Sequence, residues 1–481
     1  MLIIDRFADN VKKYPNLVAM QNENRHHTYL ALDKISTALS SYIQYGLNIN
    51  AGETIGLQIS DVLDVASIIL GVLKAGCICA VFHNDYSDEA LQSVILHHHI
   101  SYLITDRDSV KIDVTQFLSS DMISKAVESN LIADNRTGGG IVTFTSGTTG
   151  TPKSIALNIE SAFNFMTYFS NKLRTLNINS LYMCTSPAFS MGLINILLSL
   201  CFNLKLYTSI NKEYYKNIFF TLNQIGTNNC GAIMVPTSFV HLLDEQRLLR
   251  NKLPETLRLI FSGGERLRLS KLIANFFKTR KIVLFNNYGT TETLGIANYS
   301  VDYDSEYIGG DSIPVGKPIP NISISILDDN GVPVENNIIG RIGVQFAFNN
   351  VLTHSPTEVY FTNDLGLFDN NGNLIIKGRS DDYIKVRSYR INRTGVEVAI
   401  QQIEGVLDVV VTVVEGTTGD TKLVAAVTGE EHDTEKIRVE LLKKLPSYMV
   451  PSKIIHLDTF PKNGSGKNDR ASIWENIKNE F

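Results

Sequence analysis

The segment TFTSGTTGTPK, residues 143–153, carries the most informative group of side chains in the chain. Its glycines let backbone amides approach an anion closely, and successive amides and hydroxyl groups form an anion-binding surface. The lysine adds a positive charge for phosphate. The apolar run before it, residues 141–144, predicts a buried strand that presents the loop at its end. The segment favours a site for the polyphosphate of a nucleotide, and the alternative is an ordinary Ser/Thr/Gly loop.

The loop is not a Walker loop, which requires G-x-x-x-x-G-K followed by serine or threonine. Here Gly147 and Gly150 are three residues apart, and the lysine follows Pro152. The other segments of the chain must therefore decide between the two interpretations. The residues predicted to hold phosphate are Thr145, Ser146, Gly147, Thr148, Thr149, Gly150 and Lys153.

The overall composition predicts a globular protein with several folding units. Of 481 residues, 44% are hydrophobic and 19% are charged, and this length suggests roughly three folding units. The net charge of −5 offers no basic surface for nucleic acid. The sequence contains neither a signal-peptide pattern nor an apolar run long enough for a membrane span. Few, scattered cysteines are typical of a reducing compartment, so we expect a cytoplasmic protein without nucleic-acid or membrane partners.

The order of strand-like and helical segments predicts an α/β fold. A strand at residues 54–59, a helix at 64–74, a buried run at 77–82 and a further helix that starts at Ser87 form a pattern typical of a parallel sheet covered by helices. The pattern returns after the phosphate loop, which predicts two doubly wound subdomains. From about residue 298 to 373, many Gly, Pro and Asn residues separate short alternating runs such as 322–327 and 340–346, which predicts an antiparallel sheet region.

The last hundred residues predict a small α+β domain. An apolar strand gives way to KGRSD at residues 377–381, so we predict a large domain over 1–379 and a small one over 380–481. Thr394 and Glu397 have the spacing of a capping box and predict a helix that ends near Gly405. Further strands are predicted at 406–414, 422–428 and 453–457, and a helix is predicted at 433–445.

Five segments in order resemble those of the acyl-adenylate-forming (AMP-forming) enzymes, which include acyl-CoA synthetases and adenylation domains of nonribosomal peptide synthesis. Beside the phosphate loop, these are NNYGTTET (286–293), YFTNDLG (360–366), GRSDDYIKVRSYRINRTGVE (378–397) and PKNGSGKNDR (461–470). The resemblance covers essentially the whole chain, and five motifs in order are far more specific than one. It implies ATP and Mg²⁺ as cofactors, and a small C-terminal domain that moves relative to the large one.

The resemblance also implies roles for individual residues. Lys467 resembles the mobile catalytic lysine of the first step, Thr291 donates to the α-phosphate, and Glu292 is the magnesium ligand. Asp381 matches the hinge position, because the small domain must close for adenylation and swing to admit a thiol. Tyr288 would stack on adenine and Asp364 would accept both ribose hydroxyls. The ATP-binding residues implied beyond the phosphate loop are Gly263, Gly264, Glu265, Asn287, Tyr288, Gly289, Thr290, Asp364 and Arg379.

The predicted acid pocket departs from the amino-acid-activating pattern. Ser190 stands where such enzymes usually carry an aspartate that pairs with the substrate ammonium. Because an unpaired buried ammonium is costly, a plain α-amino acid is disfavoured, although an acid from elsewhere in the pocket could substitute. The pocket residues implied by the resemblance are Ser190, Met191, Ile194, Asn287, Gly295 and Ile296. This set is largely apolar and favours an aryl or short acyl acid.

The acceptor of the second step is left open. No carrier segment follows Lys467 in the sequence, so we expect a separate acceptor, either the phosphopantetheine of a carrier protein or coenzyme A. Ser388 replaces the usual glycine of the thiol tunnel, which weakens this expectation. The alternatives are an acyl-CoA ligase, an amino-acid-adenylating enzyme with an atypical pocket, a luciferase-type oxidase and a non-catalytic nucleotide-binding homologue. Retention of Lys467, Glu292 and Asp364 argues against the last of these.

Overall fold

The fold is taken from a computed structural model. It describes residues 2–84, 86–107, 116–119, 139–145, 152–209, 231–245, 250, 253–310, 312–348, 350, 352–353, 355, 357–379, 383–386, 389–415, 421–429, 434–461 and 470–478. The α-helices of these residues are Leu2–Lys13 (α1), Tyr29–Ser41 (α2), Val62–Lys74 (α3), Asp88–His97 (α4), Ile159–Thr175 (α5), Ser190–Phe202 (α6), Thr237–Glu245 (α7), Lys271–Thr279 (α8), Arg393–Gln401 (α9), Thr434–Lys444 (α10) and Arg470–Ile477 (α11).

The strands of the described residues are Val18–Gln21 (β1), His26–Thr28 (β2), Thr54–Gln58 (β3), Ile78–Val81 (β4), Tyr102–Thr105 (β5), Gln116–Ser119 (β6), Gly140–Thr145 (β7), Lys153–Ala156 (β8), Ser180–Met183 (β9), Lys205–Tyr207 (β10), Ala232–Pro236 (β11), Leu259–Gly263 (β12), Val283–Thr290 (β13), Leu294–Ser300 (β14), Lys317–Pro318 (β15), Ile322–Leu327 (β16), Gly340–Phe346 (β17), Tyr360–Phe368 (β18), Leu374–Arg379 (β19), Tyr383–Val386 (β20), Tyr389–Asn392 (β21), Val406–Glu415 (β22), Thr421–Gly429 (β23) and Lys453–His456 (β24).

Two largely parallel sheets form the first part of the fold. One has the strand order β6-β5-β3-β4-β7-β8, and the other has the order β15-β14-β13-β12-β11-β9-β10-β1-β2. Helix α3 contacts both α2 and β4, and it is buried along nearly its whole length because it is apolar on nearly every side. The predicted α/β fold with two wound subdomains is confirmed.

An antiparallel sheet of four strands, β16-β17-β18-β19, follows the second parallel sheet. The predicted strands at residues 322–327 and 340–346 coincide with β16 and β17. The sheet packs on a cluster of buried residues that includes Tyr288, Ile296 and Phe346. The strand that carries Asp364, β18, is therefore held beside the strand that carries Tyr288, β13.

The last part of the chain contains a three-stranded sheet, β22-β23-β24, and the hairpin β20-β21. Residues of β22 and β23 alternate between two clusters. Val409, Val411 and Ala425 pack with α9 and α10, whereas Val410 and Ala426 pack with α11. The small sheet therefore has a helix-covered core on each face.

The capping box predicted at Thr394 and Glu397 was wrong. Helix α9 begins at Arg393, and the side chain of Asn392 caps it by accepting a 2.6 Å hydrogen bond from Gly395 N. Glu397 instead accepts a 2.8 Å hydrogen bond from Val411 N in β22. A tertiary partner has replaced the local one, because Glu397 is only 8% exposed and its carboxylate meets the backbone of β22.

Candidate active site

The two ends of the phosphate loop are held in adjacent strands. Thr145, the last residue of β7, is the register partner of Lys153, the first residue of β8. The exposed Lys153 therefore lies beside the end of the strand that leads into the loop. Of the residues predicted to hold phosphate, Ser146, Gly147, Thr148, Thr149 and Gly150 lie outside the described residues, as does the side chain of Thr145.

Sequence reasoning gave no role to His98, which supports both ends of this loop. Its Nε2 lies 2.9 Å from the carbonyl oxygen of Pro152. Since a carbonyl oxygen only accepts, the ring nitrogen donates. The ring also meets Phe144 of β7 edge-on, with the ring centroids 5.3 Å apart. The sequence signal was only a run of three histidines with no metal-binding spacing.

A cavity of about 540 Å³ opens at the carboxyl ends of β12 and β13. Its size is within the range of small-molecule sites, and the carboxyl ends of parallel strands are where such sites form. The residues predicted to bind ATP that line this cavity are Gly264, Glu265, Asn287, Tyr288, Gly289 and Asp364. Gly263 lies next to them as the last residue of β12.

Asp364 and Tyr288 form a buried polar pair in the wall of this cavity. The Tyr288 hydroxyl lies 2.7 Å from Oδ2 of Asp364 and 2.9 Å from Oγ1 of Thr362. Only 2% of Asp364 and 4% of Tyr288 are exposed. Arg379 is the register partner of Asp364 across β18 and β19, and its side chain lies outside the described residues. Tyr288 therefore lines the cavity and also orients the carboxylate predicted to bind ribose.

The turn between β13 and β14 presents the predicted catalytic pair. A Cβ at Gly289 would lie 1.6 Å from the carbonyl oxygen of Leu294, so only glycine fits this close approach. Thr290 is buried, and its hydroxyl and amide both contact Oγ1 of Thr293. Thr290 therefore supports the turn. Thr291 and Glu292 lie half-buried at its tip.

The small domain supplies part of the cavity wall. Thr421 of β23 donates a 3.1 Å hydrogen bond from Oγ1 to Oε1 of Glu265. Lys385 of β20 and Arg393 of α9 also line the cavity, and they bring positive charge to a site predicted to hold an anionic nucleotide. Sequence reasoning did not find these residues, because nothing local in the sequence indicates a contact between the two domains.

The predicted acid-binding residues lie along the first two turns of α6. Ser190 begins this helix, and the preceding Phe189 occupies the capping position without a side-chain hydrogen bond. Ser190 and Met191 are half-buried, whereas Ile194 is 2% exposed. The helix start thus offers backbone amides and a hydroxyl group, but no charge that would neutralise an ammonium.

Asn195 is a polar residue of this helix that sequence reasoning missed. It is completely buried, and its Nδ2 donates to the Met191 carbonyl oxygen at 2.8 Å and lies 3.6 Å from Sδ of Met234. These contacts fix which end of the carboxamide is nitrogen. Its Oδ1 has no hydrogen-bond partner among the described residues. In the sequence, Asn195 stands in an apolar helix and gives no signal of its own.

Gly295 and Ile296 face in opposite directions, as neighbours in a strand do. A Cβ at Gly295 would lie 2.4 Å from the Phe165 ring and 2.9 Å from Oδ1 of Asn287, so this face borders the predicted acid pocket. Ile296 is fully buried with Tyr288 in the cluster under the antiparallel sheet. The predicted pocket role of Ile296 is not supported by this placement.

Three further predicted residues lie outside the described residues, namely the catalytic Lys467, the hinge Asp381 and Ser388 of the thiol tunnel. The structure does describe Arg470, which follows the Lys467 segment. Arg470 binds Glu397 through two hydrogen bonds of 2.6 and 2.8 Å. This pair ties the start of α11 to α9.

The described residues contain neither a metal cluster nor a helix that could span a membrane. Across this part of the chain, no three His, Cys, Asp or Glu side chains come together as a metal cluster. Among the helices of the described ranges, none is both long enough and apolar enough to cross a membrane.

Comparison with known proteins identifies the family to which a chain with this geometry belongs. A model of the AMP-binding enzyme family matches residues 7–347, and a model of the AMP-binding enzyme C-terminal domain matches residues 395–467. Gramicidin S synthase 2 of Brevibacillus brevis is 26% identical over 499 residues, which cover 97% of this chain and 11% of the synthase. The chain thus spans about a tenth of that relative's length.

Two solved structures show the same fold. A double mutant of o-succinylbenzoate CoA synthetase from Bacillus subtilis has a TM-score of 0.81 at 19% identity, with 98% of each chain covered. An artificially fused adenylation–PCP di-domain from Klebsiella oxytoca has a TM-score of 0.78 at 19% identity, with 94% of this chain and 93% of that one covered.

The sheets, the cavity at their carboxyl ends and the small second domain define the fold of an adenylating enzyme. The chain belongs to the AMP-binding enzyme family, whose model matches most of its length. Members of this family are AMP-forming ligases, and the resemblance found in the sequence motifs is thereby confirmed.

Proposed function

We propose that this chain adenylates a carboxylic acid with ATP and passes the acyl group to a thiol, that of phosphopantetheine on a separate carrier protein. The observation that carries the proposal is the cavity of about 540 Å³ in which buried Asp364, bonded to Tyr288, faces the backbone of Gly264 and Gly289. A buried carboxylate that lines a cavity of this size suits the two hydroxyl donors of a ribose.

The first step joins the acid to AMP. A carboxylate oxygen attacks the α-phosphorus of ATP, a new P–O bond forms, and the bond to pyrophosphate breaks. The carboxylate is already a nucleophile, so the step needs alignment and neutralisation of charge rather than a general base. Asp364 fixes the ribose, Thr291 donates to the α-phosphate, and Lys467 bridges carboxylate and phosphate. Glu292 fits a magnesium ligand, because Mg²⁺ is usually held by one or two carboxylates together with phosphate oxygens.

The second step transfers the acyl group. A thiolate attacks the carbonyl carbon, the new C–S bond forms, and the C–O bond to AMP breaks. The thiol proton passes to solvent, and AMP leaves with the bonding electrons. Lys385 and Arg393 of the small domain line the same cavity, so a movement of this domain would change the access of a thiol to the adenylate.

The acid that best fits the pocket has no free α-ammonium. Ser190 begins α6 without a negative side chain beside it in its first turn, so an ammonium there would lack the counter-charge that burial demands. Asn195 lies five residues further along the same helix, an axial rise of about 7.5 Å with a rotation of about 140° from Ser190. It therefore shares a face of α6 with the predicted pocket residue Met191, whose carbonyl oxygen it contacts. Its buried Oδ1 suits a donor, such as a hydroxyl or amino group, at the far end of an aryl acid.

The test is ATP–pyrophosphate exchange with a panel of acids, followed by mass spectrometry of the acceptor. The panel contains benzoate, benzoates with a para-hydroxy or para-amino group, short acyl acids and the proteinogenic amino acids. We expect the highest exchange with a substituted benzoate, and acylation of a phosphopantetheine-loaded carrier rather than coenzyme A. Exchange with none of the acids would reject the function. Preference for coenzyme A or for an amine acceptor would reject only the carrier protein as the acceptor and would leave the proposed adenylation intact.

A further inference from the structure

The carboxamide of Asn287 lies between the nucleotide cavity and the predicted acid pocket. Asn287 belongs to β13 and lines the cavity of about 540 Å³. Its Oδ1 would lie 2.9 Å from a Cβ at Gly295 of β14, and the same Cβ would lie 2.4 Å from the ring of Phe165 in α5. Because Gly295 has no side chain, the carboxamide and the ring can approach each other here. Oδ1 of Asn287 is therefore on the side of the acid pocket.

The alternation of side chains along β13 agrees with this position. Phe285, two residues earlier, points to the same face of the sheet and belongs to the core cluster that contains Phe165 and Phe261. Asn286 points to the other face, where its Nδ2 donates to the carbonyl oxygen of Ile313 at 3.1 Å. Of the two adjacent asparagines, the second therefore faces the aromatic side chains, which suit the ring of an aryl acid.

Oδ1 of Asn287 is buried and has no hydrogen-bond partner among the described residues. A buried acceptor without a donor carries a desolvation cost, and most such groups in proteins are satisfied. The neighbouring strand offers no side chain to it, because the register partner of Asn287 in β12 is Gly263. A hydrogen-bond donor on the bound acid would remove this cost.

The position of Asn287 selects a donor beside the carboxylate of the acid. The acyl carbon of an adenylate is joined to the phosphate of AMP through one oxygen, so the ortho positions of an aryl ring lie nearest to the nucleotide. Asn195 contacts Met234, which is aligned through Phe261 with Phe285. This row of the sheet lies two residues, or about 6.6 Å, below Asn287. Asn195 is thus placed for the far end of the ring, and Asn287 for an ortho group.

An ortho amino group fits this acceptor better than an ortho hydroxyl group. Either group donates one hydrogen to the neighbouring carboxylate oxygen within the acid itself. A hydroxyl group then has no hydrogen left, whereas an amino group keeps a second N–H for Oδ1. An aromatic amine is uncharged at neutral pH, because its lone pair is delocalised into the ring. It therefore does not require the counter-charge that is missing at Ser190.

We propose that the acid is an aryl acid with an amino group ortho to its carboxylate, and that Asn287 is the specificity-determining residue that accepts one N–H of this group. The inference rests on the proposed adenylation and narrows the class of acid. The amino group takes no part in the reaction, so no bond to its nitrogen forms or breaks. Its hydrogen bond to Asn287 orients the ring beside Phe165 and Phe261.

The first test compares acids that differ only at the ortho position, namely benzoate, 2-hydroxybenzoate, 2-methoxybenzoate and 2-aminobenzoate. In pyrophosphate exchange, kcat/KM should be roughly tenfold higher with 2-aminobenzoate than with the other three. Asn287→Ala should bring the four acids to within about twofold of one another, because the acceptor is gone. An equal rate with 2-methoxybenzoate, which has no donor, or a preference that survives in Asn287→Ala would overturn the inference.

Two further variants support this comparison. Asn164→Ala is the matched control, because Asn164 is an asparagine of α5 whose Nδ2 already bonds the carbonyl oxygen of Pro320 at 2.9 Å. It should keep the preference for 2-aminobenzoate. Asn287→Val also lacks an acceptor and suits a strand, so it repeats the test if Asn287→Ala loses thermal stability.

The second test measures binding without turnover. 2-Aminobenzoate is fluorescent, so its titration into enzyme saturated with AMP gives its Kd directly. Asn287→Ala should raise this Kd roughly tenfold, whereas the Kd of AMP, measured by calorimetry, should change much less. Equal losses of affinity for AMP and for 2-aminobenzoate would show that Asn287 serves the nucleotide, and would overturn the inference.

The two tests distinguish failure of the inference from failure of the function. Exchange with other carboxylic acids, without a preference for 2-aminobenzoate, would overturn the inference and leave the proposed adenylation intact. Absence of exchange with every acid would reject the function. The fluorescence titration would then still decide whether Asn287 binds the amino group.

Discussion

The hydroxyl group of Tyr288 donates a 2.7 Å hydrogen bond to Oδ2 of Asp364, and so connects β13 of the parallel sheet to β18 of the antiparallel sheet. Both residues are almost fully buried at the wall of one cavity. Because this hydrogen bond holds Oδ2, the orientation of the other carboxylate oxygen, Oδ1, is set before a ligand binds. Such preorganisation lowers the entropic cost of binding.

Asp364→Ala should weaken ATP binding strongly. Two charge-assisted hydrogen bonds to the ribose would be lost, each worth about 1.5–3 kcal/mol, so the Kd should rise on the order of a hundredfold or more. Tyr288→Phe should raise the Kd much less, by roughly fivefold, because the hydrogen bond from Tyr288 to Asp364 is present with and without ATP and only its orienting effect on the carboxylate is lost. Calorimetric titration with ATP measures the Kd of both variants. Tyr303→Phe is the control, because it removes a tyrosine hydroxyl that bonds Ile282 O elsewhere in the large domain. An unchanged Kd for Asp364→Ala would reject the ribose assignment.

Lys467→Ala should abolish most pyrophosphate exchange and leave acyl transfer from a supplied adenylate nearly intact. The proposed role of the lysine is electrostatic and confined to the arrangement that forms the adenylate. Arg470→Lys should reduce exchange less, because it keeps a positive charge for Glu397 but loses the two-point contact. The two half-reactions are measured separately, and equal loss of both in Lys467→Ala would contradict a lysine that acts in only one of them.

His98→Ala should raise the KM for ATP several-fold. The hydrogen bond to Pro152 O and the edge-on contact with Phe144 fix both ends of the phosphate loop, and one such bond contributes about 1 kcal/mol. His98→Gln, which keeps a donor, should recover part of the loss. His99→Ala serves as the neighbouring control. If His98→Ala and His99→Ala give the same KM as the unmodified enzyme, the supporting role is refuted.

Much of the fold could be predicted because its signals are local. Ser87 was predicted to begin a helix, and its hydroxyl accepts a 3.1 Å hydrogen bond from Ala90 N at the start of α4. The alternating runs of β16 and β17 were located to the residue. Periodicity and capping act over a few residues, so they can be recognised in one sequence.

The parts of the site that could not be predicted depend on distant contacts. Thr421 and Glu265 are 156 positions apart in the sequence, and they are joined by a hydrogen bond. The orientation of the Asn195 carboxamide depends on its contact with Met234 of β11. Glu397 illustrates the opposite error. The local sequence fits a capping box, but the side chain of Glu397 accepts a hydrogen bond from Val411 in β22 instead. In each of these cases, the decisive neighbour comes from another element of the fold.

Asn195→Leu should change the acid preference without unfolding the protein. The two side chains share a branched shape, although leucine is larger. The change removes both an acceptor that lacks a partner among the described residues and the 2.8 Å hydrogen bond from Nδ2 to Met191 O, so its net effect on stability should be small. Exchange with a para-hydroxy or para-amino benzoate should fall roughly tenfold, while exchange with benzoate itself should hold or rise. Thermal unfolding checks the fold. Equal loss for all three acids would argue against a contact between Asn195 and the far end of the acid.

Ser190→Asp should move the acid preference toward α-amino acids. The new carboxylate would stand at the first position of α6, where the helix dipole stabilises negative charge by about 0.3–1 kcal/mol, so folding should not suffer. Neutral acids should lose exchange, because a carboxylate would face apolar Met191 and Ile194 without a partner. Ammonium-bearing acids should gain at least tenfold, since their charge would be paired. Ser190→Asn is the uncharged control and should show no such gain. If the unmodified enzyme already gives its highest exchange with a proteinogenic amino acid and none with neutral acids, the proposed acid class is wrong and another pocket residue supplies the counter-charge.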